Sequence, residues 1–224
     1  MNDLQRTDEW YLQRKGKVTA SEIANILVKG RGKDELFGKT ALTYLNDKVA
    51  ERFMEDEMFI YYMTEVKKPV PAMRWGNEYE STAREQYELA TKCKVMDCPF
   101  IPMKGYEDFV GGSPDGRRST LDRIIEIKCP YTPSIHIEHC KWTKPEDLKE
   151  GNLQYYAQVQ HNMLNTGTEV CDFISYSPLY RQGLDLHILE VPLDKPFCDN
   201  LMERIDYAVD YMRKQIEIFL NEQS

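Results

Sequence analysis

Apolar positions along the chain alternate between helical and strand-like periods. Thr7–Arg14 reads as a short helix with Thr7 as N-cap, acids in its first turn and Gly16 at its end. Ile23, Ile26 and Leu27 place a second helix over about Glu22–Val28, and Leu42, Leu45, Val49 and Phe53 a third between Thr40 and Phe53. Met54–Pro71 mixes acids, aromatics and prolines without a period and is expected to be an irregular surface excursion. A helix opening at Gly76 follows, with Tyr79, Ala83, Tyr87 and Ala90 on one side. Glu80 and Arg84 are spaced for an ordinary i,i+4 ion pair on an adjoining face.

The strand signals come next. Lys94–Met103 and Tyr106–Val110 are expected to pair around Lys104-Gly105, with Ile124–Cys129 as a third strand. Residues 131–151 read as irregular or partly helical. A helix over Asn152–Asn165 carries Tyr155, Val159 and Met163 on one stripe and Gln154, Gln158, His161 and Asn165 on another, which is expected to face water. Glu169–Tyr176 is nearly continuous in apolar residues, as a central strand is, and Leu184–Val191 pairs with it. A long helix from about Lys195 closes the chain on Leu201, Ile205, Ala208, Met212, Ile216 and Phe219. This order predicts one α/β domain over residues 1–224, a mixed core in which helices cover a central sheet.

Composition narrows the function. No apolar run approaches membrane-spanning length, and Met1–Glu9 is polar without a signal-peptide core, so an intracellular protein is expected. The six cysteines contain no Cys-x-x-Cys pair and read as free thiols; Cys93 and Cys98, four residues apart in between, leave only a minor iron–sulfur alternative. A net charge of −8 argues against nonspecific coating of nucleic acid, but not against a nuclease, which needs local carboxylates for metal. Lys29-Gly30-Arg31-Gly32-Lys33 is a basic loop, by itself a solvated connector. His136, His139 and Cys140 have a spacing that zinc could use, with no second ligand pair in view.

Candidate chemistry concentrates in Gly111–Pro130. Asp115 follows a Gly-rich turn, and Glu126 and Lys128 point to one face of a strand whose Ile125 and Ile127 point to the other. A solvated hairpin would show the same pattern. Phosphodiester hydrolysis, however, needs an activated water and a stabilised leaving oxygen, and a divalent metal held by carboxylates supplies both. Asp115 and Glu126 suit that task; Lys128 could orient the water, take its proton or neutralise the transition state, the second only with a pKa well below about 10.4.

Ser113-Pro114-Asp115, followed by Glu126-Ile127-Lys128-Cys129-Pro130, resembles the PD-(D/E)xK nuclease signature, and specifically that of the lambda exonuclease or YqaJ-type viral recombinase family. Four more blocks match in order: Trp10 with Arg14-x-Gly16-x-Val18-Thr19-Ala20-Ser21; Arg74–Glu80 with Ala83-Arg84; Tyr155–Gln160; and Cys171–Tyr176. Two features depart from the family pattern, the longer Met54–Pro71 segment and the Arg117-Arg118 pair.

The resemblance implies a restriction-endonuclease-like core, a central mixed β-sheet flanked by helices. It implies a metal-dependent exonuclease that degrades one strand of linear duplex DNA from the 5′ end and leaves a 3′ overhang for recombination. Two Mg²⁺ ions, replaceable by Mn²⁺, would be held by Asp115, Glu126, the Ile127 carbonyl and Glu80, with Lys128 assisting the water and Gln158 projecting into the site. Arg14, Ser21 and Ser113 would hold the terminal 5′-phosphate, as a forked guanidinium and two hydroxyls can. Arg31 and Met73 align with positions that touch the DNA end and part its strands. The family also implies a homotrimeric ring around DNA, a single-strand annealing protein as partner and the cytoplasm of a bacterial or phage-infected cell. The rival readings are an endonuclease or RecB-like repair nuclease, and a catalytically inactive DNA-end-binding recombination protein.

Overall fold

The computed structural model of the chain describes residues 6–32 and 36–222, so Lys33 of the basic loop lies outside the described residues. Helix α1 (Asp8–Arg14) starts where its cap predicts: the Trp10 N–H donates to the Thr7 hydroxyl at 3.1 Å, a cap worth about 1 kcal/mol. Gly16, at φ +65°, turns the chain out of the helix into strand β1 (Val18–Thr19). The second helix is a 3-10 helix, Ala20–Leu27, with Ile23 and Ile26 fully buried. Helix α2 (Lys39–Arg52) buries Tyr44, Leu45 and Val49, whereas Phe53 lies beyond its end and is largely exposed.

Met54–Pro71 is not irregular. Helix α3 (Asp56–Tyr61) runs directly into a π-turn, Tyr62–Val66. Less than two turns of helix is too short to print a period on the sequence, and of α3 only Phe59 is buried. Helix α4 (Pro71–Thr91) starts at Pro71 rather than Gly76, because the first helical position has no N–H bond for a proline to lose. Ala83 and Tyr87 are buried as predicted, but Ala90 is exposed. Glu80 pairs with Arg6 rather than Arg84, and Arg84 donates to Asp97 and to the Asp115 carbonyl.

The strands form two sheets. In the smaller, β3 (Ile101–Pro102) and β4 (Val110–Gly112) are antiparallel across the Lys104-Gly105 turn, and β1 runs parallel to β4. The larger has the order β2 (Val95–Met96), β5 (Gly116–Arg118), β6 (Ile124–Lys128), β7 (Val170–Tyr176), β8 (Leu186–Pro192). Only its β6–β7 pair is parallel, so the central sheet is mixed. The strand expected over Lys94–Met103 is therefore two strands in two sheets, interrupted around Pro99, which has no N–H to continue a ladder.

Side-chain alternation along β6 sorts the core. Ile124 packs with Val159, Met163 and Phe173 beneath α5 (Pro133–His139), α6 (Pro145–Gly151) and α7 (Leu153–Thr166). Ile125 and Ile127 pack on the other face with Ala83 and Tyr87 of α4. A third cluster joins α2 and the 3-10 helix to α8 (Lys195–Glu222) through Leu45, Ile23, Leu201 and Ile205. Glu126 and Lys128 share the Ile124 side of the sheet, and so face α7. The stripe of α7 expected to be wet is in large part interior, with Gln158 and His161 buried.

Candidate active site

A cleft of about 440 Å³ opens among α1, α4, the end of β6 and α7. Asp115 enters it from the start of β5. Its N–H donates to the Ile125 carbonyl at 3.2 Å, and its Oδ2 accepts from the Ile127 N–H at 2.7 Å, which locks the carboxylate across the hairpin. Glu126 is 1% exposed; its Oε1 accepts from Lys128 Nζ at 2.7 Å and its Oε2 from Asn162 Nδ2 at 3.2 Å. Lys128 Nζ also donates to Gln158 Oε1 at 3.1 Å and lies 4.8 Å from the Tyr155 ring centroid. Glu80 reaches in from α4 and accepts from the Arg6 guanidinium at 2.6 Å.

Burial, then the charges of Glu126 and Glu80, push Asp115 well above the usual carboxylate range. Burial raises Glu126 too, with Lys128 opposing it. For Lys128 burial disfavours the ammonium, but Glu126 and Asp115 outweigh it and leave the amine above its ordinary value. Lys128 therefore stands in the cleft as a proton-bearing donor rather than a free amine. Among the described residues no three His, Cys, Asp or Glu side chains gather closely enough to enclose an ion unaided. Two buried acids that destabilise each other's charge are nonetheless a fitting donor set for Mg²⁺, which takes one or two carboxylates and keeps several waters.

The second half of the cleft is built on Arg14. Its guanidinium donates to Ser113 Oγ at 3.4 Å, Thr19 Oγ1 at 3.2 Å and Ser21 Oγ at 3.3 Å, and lies 4.2 Å from the Trp10 ring centroid. All three acceptors are neutral hydroxyls. Burial lowers the Arg14 pKa from its ordinary value, the signature of a cation short of solvent. Such a group, with forked donors, matches a phosphate.

Ten of the eleven residues singled out from the sequence thus line one cleft: Asp115, Glu126, Ile127, Lys128, Glu80, Gln158, Arg14, Ser21, Ser113 and, on the rim, Met73; the eleventh, Arg31, is exposed after the 3-10 helix and does not line it. Asn162 was not foreseen, although it stands one turn after Gln158. A Cβ on Gly112 would come within 2.4 Å of Asn162 Oδ1, so the bare glycine lets α7 close on β4. Arg6 carried no signal in the sequence, and Thr19 stood in a matched block without a role of its own. Arg117 and Arg118 are answered by Asp122 and by buried Asp172, away from the acids. His136 and His139 both place Nδ1 2.9 Å from Ser175 Oγ, and His136 Nε2 lies 2.9 Å from the Leu184 carbonyl, contacts that hold α5 to β7.

The chain is similar to solved alkaline exonucleases. It is 26% identical to the alkaline exonuclease LHK-Exo from Laribacter hongkongensis, with a TM-score of 0.76 over 97% of this chain and 98% of that one. The same enzyme in complex with dAMP gives a TM-score of 0.77 at the same identity and coverage. A phage-related exonuclease from Haemophilus somnus 129PT, 15% identical over 93% of this chain and 96% of that one, shares the fold at a TM-score of 0.68. No curated protein matches the chain. Residues 9–169, which include the Arg14 pocket, the acids of the hairpin and the glutamines of α7, match the YqaJ-like viral recombinase domain, and the chain belongs to that family.

Proposed function

We propose that this protein is a divalent-metal-dependent exonuclease that hydrolyses one strand of linear duplex DNA from its 5′ end and leaves a 3′ single strand for recombination. The observation that carries the reading is the joining, in one cleft, of the hydroxyl-lined Arg14 to the Asp115–Glu126–Lys128 cluster. Family membership and the likeness to an alkaline exonuclease support it.

Asp115, Glu126 and the Ile127 carbonyl would hold Mg²⁺ or Mn²⁺, with Glu80 beside them and two ions as the proposed complement. A metal bound there would supply an acidified water and a positive charge for the leaving oxygen. The protein supplies position. Arg14, Ser21 and Ser113 grip the terminal phosphate and so fix the strand relative to the acids. Lys128 donates a hydrogen bond to the attacking water or to the charge that grows on phosphate. Gln158 and Asn162 hold Lys128 and Glu126 in place from α7. The working assembly is proposed as a homotrimeric ring that passes its 3′ strand to an annealing protein; a light-scattering mass equal to a single 26.3 kDa chain would remove the ring.

Linear duplex labelled on one strand tests the activity. Label should be lost from 5′ ends in Mg²⁺ and retained in EDTA, and a covalently closed circle should survive. Nicking of the circle would replace the exonuclease with an endonuclease.

A further inference from the structure

The turn that delivers Arg14 to the cleft is gripped from behind by helix α2. The Lys17 N–H donates to the Arg14 carbonyl at 3.1 Å, and Gly16 sits inside that turn at φ +65°. Two neighbouring residues of α2 hold Gly16 from either side. Glu51 Oε2 accepts from its N–H at 3.0 Å, and Arg52 donates to its carbonyl at 3.1 Å and to that of Asp108 at 2.8 Å. The approach is so close that a Cβ on Gly16 would lie 2.2 Å from Arg52 Cγ.

Lys48, one turn earlier in α2, extends the grip to the other half of the pocket. Its Nζ donates to both Glu51 oxygens, at 2.9 and 3.2 Å, and lies 3.2 Å from Oε2 of Glu22, the residue after Ser21. Lys48 and Glu51 are both buried. Stability alone is a poor reason for such a pair, since apolar side chains of similar volume commonly replace a buried ion pair without loss. Its place gives a better one, because it joins the segment that carries Arg14 to the segment that carries Ser21. Burial disfavours the Arg14 cation, and the charges of Glu22 and Glu51 are among those that favour it, yet the hydrogen bonds of the guanidinium go to hydroxyls.

We propose that Glu51 and Arg52, with Lys48 aligning Glu51, are positioning residues for the phosphate pocket: by fixing Gly16 they set the place of Arg14 relative to Ser21 and Ser113, and with it the selectivity for a 5′-phosphorylated end. Glu51 and Arg52 do not line the cleft, so their effect on DNA passes through Gly16. The proposal rests on the exonuclease reading, which makes the pocket a phosphate site.

The measurement is the ratio of kcat/KM on 5′-phosphorylated to that on 5′-hydroxyl linear duplex in Mg²⁺, which a loss of folded protein does not move because it lowers both rates alike. Lys48→Met/Glu51→Leu replaces the ion pair by apolar side chains of similar volume; it should stay folded and lower the ratio about tenfold, as a displaced binding group implies. Lys48→Met/Glu51→Gln returns an acceptor to the Gly16 N–H and should recover the ratio. Arg52→Met, at a half-buried position, removes the grip on the Gly16 carbonyl and should lower the ratio whether or not the double variant folds. A wild-type ratio in Arg52→Met or in the leucine variant, or no recovery with glutamine, would overturn the proposal. Wild type tells the failures apart. If it favours the phosphorylated end and the variants do so equally, the positioning role falls alone; if it treats both ends alike, the phosphate pocket falls too; if it digests neither, the exonuclease reading falls.

Discussion

Burial raises Asp115 and Glu126 together, and the charges of Glu126 and Glu80 make Asp115 still harder to ionise. Under the proposed function, a bound cation would offset that repulsion. Asp115→Asn retains an oxygen that can accept from the Ile127 N–H while it removes the repulsion. Its Tm should match or exceed that of wild type, and its Mg²⁺-dependent hydrolysis should fall by at least about 10²-fold. Calorimetry beside the strand-release assay checks both; a variant that is destabilised yet active would place Asp115 in the scaffold instead. At this scale the sequence was informative wherever a side chain's direction follows from backbone alternation. Glu126 and Lys128 on one face of β6 are such a case, and they meet at 2.7 Å. Arg6 is the opposite case, since its contact with Glu80 joins residues 74 apart and leaves no local pattern.

Among the elements, α7 departs furthest from expectation. A polar stripe on a helix ordinarily faces water, and here Gln158, His161 and Asn162 are buried, Gln158 and Asn162 against Lys128 and Glu126. His161 lacks a hydrogen-bond partner for either ring nitrogen among the described residues, and burial lowers its pKa to about 4. The unfolded chain takes up that proton near 6.5 and the folded chain only near 4, so the stability is whole above about pH 6.5 and is lost as pH falls toward 4. His139, lowered to about 4 by burial and then by the charge of His136, acts over the same window. His161→Leu removes an unsatisfied polar group, so its Tm at pH 7 should not fall, and its Tm should decline less steeply than that of wild type between pH 6.5 and 4. Thermal melts across that range decide it: equal slopes would mean that His161 is not held neutral. Other elements were misread for local reasons. The π-turn after α3 has no sequence period, Pro71 looks like an interruption but starts a helix, and Pro99 divides what reads as one strand.

Over the whole molecule, a chain of net charge −8 places a hydroxyl-lined arginine and a half-buried lysine in one acidic cleft. None of its described helices is long and apolar enough to cross a membrane. The mixed sheet and its flanking helices were legible because long periodic segments such as α8 and β7 carry strong patterns. The convergence of α1, β6 and α7 on one cleft was legible only through the spacing of motifs across 150 residues or so, since tertiary proximity leaves no period. That convergence is the central claim, and end preference measures it directly. Wild type in Mg²⁺ should degrade 5′-phosphorylated linear duplex about 10–100-fold faster than the 5′-hydroxyl form, as a charge-assisted phosphate contact implies, and Arg14→Gln should abolish the difference. Equal rates on the two ends by wild type, or a preference that survives in Arg14→Gln, would contradict it.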